Sequence, residues 1–199
     1  MPRIDLPEDY AVALLRQSVR DSLMSHGEEV IILSLYHVSS DEGTQPRCPV
    51  CYDDVYAQSE NQQCTKCWGT TFDGGVRVAA RCWALFTDQE SQEESLGKHG
   101  VYGPDQRQVQ VEYPPELRER DFIIRVRRWA SDHTPLEIQG FYILGKPDPT
   151  SLRTGNRFGQ YEWDYAGTVA PVSEASSSHV ITKYPVRGET FARIDGKPR

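Results

Sequence analysis

Four cysteines in two C-x-x-C pairs are the residues of this chain with the clearest chemistry. Cys48 pairs with Cys51 and Cys64 with Cys67, and twelve residues separate the two pairs. Each C-x-x-C turn directs two sulfurs at one ion, and two such turns complete a tetrahedron. Soft thiolate ligands in this geometry favour Zn²⁺ over hard cations. The spacing therefore predicts a Zn²⁺ site whose ligands are these four cysteines.

The predicted metal site is structural, because four thiolates leave no open position for water or substrate. Three alternatives use the same residues: two disulfides, four unligated thiols, or an iron site of the rubredoxin type. Disulfides are typical of secreted chains, and residues 1–5 carry no signal-peptide pattern. We expect zinc, because tetrahedral thiolates favour it. Iron stays the minor alternative, because a rubredoxin-type site needs the same four sulfurs.

Length, composition and charge limit the class of protein. The chain has 199 residues, with 38% hydrophobic and 26% charged residues, which suits one domain with an embellishment. No stretch is long and apolar enough to predict a membrane span. The net charge of −7 argues against a general nucleic-acid binder, since phosphate binding needs a basic surface. Thirteen prolines, fifteen glycines and ten tyrosines favour β structure with many turns.

Residues 1–27 are predicted to form an N-terminal helix. Asp5 can cap it, and Pro7 occupies a first-turn position where proline is tolerated. Gly27 ends the pattern. One narrow apolar stripe follows helical spacing and consists of Val12, Leu15, Val19 and Leu23. The helix is expected either to pack on its own domain or to dock on a neighbouring subunit.

Residues 28–172 are predicted to form a β domain, a small sandwich or barrel. Its first strand, over residues 29–38, contains Val30-Ile31-Ile32-Leu33, which is too continuously apolar to face water on either side. Strands are also predicted at 76–86, 109–113, 122–127, 136–144 and 161–165. The cysteine unit at about 46–75 is then an insertion between two strands. Because so short a segment cannot build its own core, a metal must replace one.

The strand over 76–86 places the fifth cysteine. Its alternation puts one set of side chains on the apolar face: Val76, Val78, Ala80, Cys82, Ala84 and Phe86. Cys82 is therefore predicted to be a small buried hydrophobe instead of a nucleophile or a metal ligand.

The remaining segments are predicted to be connections. Residues 87–105 form a long, exposed, acidic loop, and residues 145–159 form turns and a glycine-rich loop. Residues 173–199 are predicted to be a C-terminal arm, in which 180–194 are either a last strand or an extension that adds to a neighbour's sheet.

Little in the sequence predicts catalysis. The five histidines are scattered, and no nucleotide-binding or hydrolase motif is present. We therefore predict that the chain is not an enzyme. A cluster of Arg125, Arg127, Arg128 and Trp129 predicts either a nucleic-acid face or a contact with the acidic loops of a neighbour.

Three motifs occur in order along the chain: C-P-V-C at 48–51, C-T-K-C-W-G-T-T-F-D-G-G at 64–75, and R-T-G-N-R-F-G-Q at 153–160 before a tryptophan-containing strand. Together they resemble the head-to-tail connector proteins of tailed bacteriophages, closest to the neck or stopper type that carries a zinc ribbon. The resemblance covers roughly residues 28–190. It carries over the four cysteines one for one as zinc ligands.

The resemblance implies a small β-barrel protomer with an inserted zinc ribbon, assembled as a homo-oligomeric ring beneath the portal of the virion. That ring extends the DNA channel, helps retain packaged DNA and joins the tail. The implied partners are portal or adaptor proteins and tail-tube or tail-terminator proteins, with assembly in the host cytoplasm. Double-stranded DNA would pass through without sequence-specific binding, and no membrane is involved. Two rival classes remain: a zinc-ribbon nucleic-acid accessory protein and a rubredoxin-like electron carrier.

Overall fold

The structure, a computed structural model, describes residues 8–53, 55–56, 58–59, 63–87, 95–97, 100–102, 107–155 and 161–194. Its helices are α1 (Glu8–His26), α2 (Val38–Asp41) and a 3-10 helix (Val180–Lys183). Its strands are β1 (Glu28–Leu35), β2 (Tyr52–Asp53), β3 (Gln58–Ser59), β4 (Val76–Thr87), β5 (Ser95–Gly97), β6 (Gly100–Tyr102), β7 (Arg107–Glu112), β8 (Phe122–Trp129), β9 (Pro135–Leu144), β10 (Asp148–Gly155) and β11 (Tyr161–Glu174). Among these residues no helix combines the length and apolar composition that a membrane crossing requires.

Seven of the strands form one antiparallel sheet in the order β10-β11-β7-β4-β1-β8-β9. Strand β11 is long enough to pair with three strands: with β10, with β7 along Gly167–Val172, and with β9 from Val172 to Glu174. The pairing with β9 joins the two sides of the sheet, which therefore is ring-like. The predicted mainly β class with an N-terminal helix is confirmed.

Strand β1 lies at the centre of the packing. Val30, Ile31, Ile32 and Leu33 each have 0% of their surface exposed. Val30 and Ile32 belong to an inner cluster enclosed by the ring, whereas Ile31 and Leu33 belong to an outer cluster on the opposite face. The prediction that this strand avoids water on both faces is confirmed.

The inner cluster contains the fifth cysteine. Cys82 is 1% exposed and packs among aliphatic and aromatic side chains of β1, β4, β7, β8, β9 and β11. Burial raises the pKa of the Cys82 thiol well above its usual value, and the carboxylates of Glu112 and Glu29 add to that effect. The predicted burial of Cys82 is confirmed.

The predicted face of β4 is wrong at its start. Cys82 points into the inner cluster, but Val76 packs against the outer one. The register of β1 and β4 shifts between Ser34 and Leu35. Because a β-bulge breaks the period of two, side chains before it turn to the other face.

Helix α1 packs on the sheet of its own chain, against β11, β4 and β7. Val12 and Leu23, at the two ends of the predicted stripe, are 3% and 1% exposed. Gly167 permits this close approach, because a Cβ there would lie 3.3 Å from a methyl carbon of Val19. The stripe therefore serves packing within the chain, the first of the two interpretations.

The C-terminal segment also folds back on its own chain. Residues 175–194 supply Ala175, Ile181, Val186 and Phe191 to the outer cluster. Their backbone is fixed to β4, since Arg81 N donates to Ala192 O at 2.9 Å and Ile194 N donates to Arg81 O at 3.1 Å. The segment predicted to be an arm for a neighbour thus covers the outer face of its own sheet, because that face is apolar and would otherwise meet water.

Two predicted loops contain strands. Asp148–Gly155 forms β10 and pairs with β11, and β5 pairs with β6 within the predicted 87–105 loop. Backbone pairing stabilises β10 although it holds a proline and a glycine, which depress strand propensity. Residues 88–94, 98–99, 103–105 and 156–159 of these predicted loops lie outside the described residues.

Candidate metal centre

The structure brings the four predicted cysteines together. The sulfurs of Cys48, Cys51, Cys64 and Cys67 all lie within 4.8 Å of one another, and the four residues are buried. The Sγ atoms of Cys48 and Cys64 are 4.0 Å apart, and those of Cys51 and Cys67 are 3.4 Å apart. A Zn–S distance of about 2.3 Å gives tetrahedron edges of about 3.8 Å. The cluster can therefore hold one metal ion and is compatible with zinc.

Both C-x-x-C turns have the same backbone closure. Tyr52 N donates to Cys48 O at 3.1 Å, and Trp68 N donates to Cys64 O at 2.9 Å. In each turn the residue after the second cysteine thus bonds back to the first, which directs both sulfurs to one side. All five cysteines are free thiols, so the predicted disulfide alternative does not fit this geometry.

The local electrostatics favour a thiolate at one ligand. Burial raises the pKa of Cys64, but hydrogen bonds from the backbone of Cys67 and Lys66 and from neighbouring thiols lower the pKa to about 7. Burial raises the pKa of Cys67. Two backbone N–H groups thus stabilise negative charge on one sulfur, as a metal-binding thiolate requires.

Glycines make room for the second turn. Gly69 and Gly75 have φ values of 83° and 65°, in the left-handed region that side chains disfavour. A Cβ on Gly75 would lie 2.1 Å from the carbonyl oxygen of Cys67. Only glycine fits there, which explains why the segment that leaves the unit carries Gly74-Gly75.

Contacts of Arg47 with two aromatic rings stabilise the cysteine unit (residues 46–75). The Arg47 guanidinium lies 4.7 Å from the centre of the Tyr52 ring and 4.4 Å from that of Phe72. Arg47 also donates to Thr71 Oγ1 at 2.8 Å. Phe72 is fully buried and contacts Tyr36, just past β1. These contacts join the metal cluster to the sheet.

Trp68 joins the unit to the C-terminal segment. Its ring meets the edge of the Tyr184 ring at a centroid distance of 5.1 Å, and it packs on the outer cluster. The unit therefore has a fixed orientation relative to the sheet.

The cysteine unit exposes three large apolar side chains. Val50 is 67% exposed, Val55 is 84% exposed and Tyr56 is 72% exposed. The Asp53 carboxylate holds the turn that presents Val55 and Tyr56, by accepting their backbone N–H groups at 2.7 and 3.3 Å. The sequence analysis did not predict this surface. The only signal for it in the sequence is the presence of apolar residues in a polar insert.

The second predicted set of site residues is not brought together. Arg125 turns towards the inner cluster, where it pairs with Glu28 and lies 4.7 Å from the centre of the Phe86 ring. Arg127 is exposed and pairs with Glu137, while Trp129 packs against the outer cluster. Irregular register between β8 and β9 separates these side chains. The group does not form the single aromatic and basic face that nucleic-acid binding would use.

No protein-family model matches this chain, and comparison with curated proteins finds no match.

Proposed function

We propose that this chain is a structural protein of the phage neck, a ring-forming head-to-tail connector or stopper. In this proposal the ring-like sheet is a small β-barrel, and the cysteine unit is a zinc ribbon inserted between β1 and β4. One observation carries the proposal: the buried four-cysteine cluster is fixed to the sheet, and the cysteine unit exposes large apolar side chains.

Exposed apolar side chains of the cysteine unit support a role in assembly. Val50, Val55 and Tyr56 lie within a seven-residue stretch (positions 50–56) and are each more than half exposed. Exposed apolar side chains cluster where proteins contact one another. A short segment held by a metal and by ring contacts loses little entropy when it binds, which suits an assembly surface.

The chemistry of the four-cysteine cluster also supports the proposal. A shell of four thiolates has no open coordination position, so its metal stabilises the fold and does not activate water. Zinc needs no redox partner and fits tetrahedral thiolates. The cluster is thus suited to a structural role.

The net charge of the chain is compatible with a channel for DNA. A channel protein must let a polyanion slide, and a net charge of −7 disfavours firm phosphate contacts. We propose that the ring extends the channel below the portal, helps retain packaged DNA and presents a surface to the tail.

The test is native mass spectrometry with negative-stain imaging of the purified chain, alone and mixed with portal complex. We expect closed rings, or association with the portal. Tyr56→Ala should weaken that assembly, whereas Leu136→Ala, which removes another exposed apolar side chain on β9, serves as the matched control. A chain that stays monomeric and never joins a portal or tail component would contradict the proposal.

Two measurements separate the rival classes. Metal analysis with an absorption spectrum distinguishes colourless zinc from coloured iron–thiolate. Binding to double-stranded DNA at increasing salt tests the nucleic-acid accessory, for which affinity should fall steeply.

A further inference from the structure

A cleft of about 710 Å³ lies between the cysteine unit, the end of β1 and the C-terminal segment. This volume falls in the range of sites that hold small ligands. Its apolar lining includes Leu35 from β1, Trp68 from the cysteine unit, Phe122 from β8 and Ile143 from β9. The cysteine unit, the C-terminal segment and three strands of the sheet therefore meet around one opening.

Two hydrogen-bond donors line the cleft without a partner among the described residues. The exposed side chain of Arg120 forms no ion pair or hydrogen bond there, although its backbone N–H is fixed to Leu144 O at 2.8 Å. The Nδ1 atom of His179 accepts from Ile181 N at 3.2 Å. Burial lowers the pKa of His179, so the neutral ring carries its proton on Nε2. The cleft thus combines apolar walls with a guanidinium and an N–H donor.

Asp121, the buried carboxylate that follows Arg120 in the chain, already has donors from the cleft lining. Asp121 is 0% exposed. Its Oδ1 accepts from Leu35 N at 2.8 Å, and its Oδ2 accepts from Arg118 N at 2.9 Å. His37, which lines the cleft, lies 3.4 Å from Oδ1 of Asp121. Burial raises the pKa of the Asp121 carboxyl, and these donors oppose that rise. Arg120 forms no ion pair with this carboxyl and remains available to another anion.

The backbone around the cleft is strained. Trp68, Thr71 and Arg120 have φ values of 53°, 70° and 74° and all line the cleft. Left-handed backbone is uncommon for side-chain-bearing residues and is a clear outlier for β-branched threonine. Only one other such residue, His133, occurs in the described parts of the chain. Strain of this kind concentrates at binding sites.

We propose that this cleft binds a carboxylate carried on an apolar or aromatic body. The Arg120 guanidinium pairs with the carboxylate, because guanidinium and carboxylate form charge-assisted hydrogen bonds of matching geometry. The apolar body packs against Trp68, Phe122 and Ile143. The carboxylate comes from a small molecule or from a polypeptide whose acidic residue lies beside an aromatic one.

The test uses the full chain and 1-naphthoate, with 1-naphthamide as its uncharged counterpart. Calorimetric titration gives the affinities, and NMR follows the indole N–H of Trp68. We expect saturable binding of naphthoate with its largest shifts at Trp68, and at least tenfold weaker binding of the amide. Arg120→Gln should remove this preference. Arg120→Asn should do the same while suiting the left-handed backbone, which guards against a folding effect. Arg127→Gln, which removes the same charge outside the cleft, should leave it unchanged.

Each result decides the proposal. No saturable binding, equal affinity for the amide, or an equal loss in Arg127→Gln would overturn it. A peptide that carries a glutamate beside a tryptophan then identifies the source of the carboxylate. Displacement of naphthoate by the peptide supports a polypeptide ligand, and retention of naphthoate supports a small molecule.

Discussion

Arg20 on α1 donates its Nε–H to Oε2 of Glu112 on β7 at 2.6 Å. The other oxygen of Glu112 accepts the backbone N–H of Trp83 at 2.8 Å. Glu112 is only 1% exposed, so its charge depends on these donors for stabilisation. The pair thus connects the helix to the ring-like sheet and fixes which helical turn faces it.

Replacing Arg20 with alanine leaves the Glu112 carboxylate buried and without its cation. We expect the free energy of unfolding to fall by about 3 kcal/mol, in the range for a buried pair that loses one member. Urea unfolding measures the change. Arg127→Ala is the control, because Arg127 is exposed and its pair with Glu137 should contribute less than about 1 kcal/mol. Equal losses in the two variants would contradict the structural role of Arg20.

The five thiols should react in two distinct classes. With metal bound, we expect iodoacetamide to label none of them in the native chain. After metal removal, labels should appear at Cys48, Cys51, Cys64 and Cys67, while Cys82 stays unmodified because burial keeps it protonated and inaccessible. Mass spectrometry counts the labels, and denaturation should add the fifth. A fifth label on the chelated but undenatured chain would show that Cys82 lies outside a stable core.

The parts of the fold that sequence predicts well are those where one physical signal dominates. Val30–Leu33 must be buried on both faces because every residue there is large and apolar. The four cysteines meet because spacing alone defines the C-x-x-C turn. The stripe on α1 includes Val12 and Leu23, which the structure buries.

The parts that sequence reasoning missed depend on contacts between distant segments. Strand β10 exists because β11 offers it a backbone partner, and its own residues give little sign of that. Ile181 and Phe191 lie in a short segment of mixed polar and apolar residues. Their burial follows only from the outer cluster that they cover. The cleft at Arg120 combines residues of the cysteine unit, three strands of the sheet and the C-terminal segment, so no local pattern predicts it.

Gly75→Ala should weaken metal binding, since its Cβ would approach the Cys67 carbonyl oxygen to 2.1 Å and displace that ligand's backbone. We expect a loss of affinity of roughly tenfold or more, as for other changes that misplace a ligand. Competition with a coloured chelator measures it. Gly74→Ala is a matched control: Gly74 has a similar φ of 79°, yet a Cβ there meets nothing within 4 Å. If both variants lose affinity equally, left-handed strain is the cause and the close approach is irrelevant.

Acidification should loosen the C-terminal segment through His179. Burial lowers the pKa of His179 below its usual value of 6.5, so the unfolded chain takes up this proton at a higher pH than the folded chain. The His179 contribution to stability is therefore complete above about pH 6.5 and is lost as pH falls from that value through the lower pKa of the folded chain. Protonation of Nδ1 also removes the acceptor for Ile181 N.

His179→Asn keeps a side-chain acceptor at this helix cap and cannot titrate. Unfolding of both proteins by urea from pH 7.5 to pH 5 should show that the wild type loses more stability than the variant. Because the other histidines are common to both proteins, the difference between them isolates His179. Parallel pH profiles would exclude His179 as the source.

Removing apolar volume from the C-terminal segment should destabilise the whole sheet. Ile181 is 0% exposed and Phe191 is 6% exposed, and both pack on the outer cluster beside Ile31 and Leu33. We expect Ile181→Ala to lower the free energy of unfolding by about 2–5 kcal/mol, the range for buried aliphatic truncations. Lys183→Ala, on the exposed side of the same 3-10 helix, should change it by less than about 0.5 kcal/mol. Denaturant unfolding and native mass are measured together, because a neighbour-bound arm would instead change assembly and leave the stability of the monomer intact.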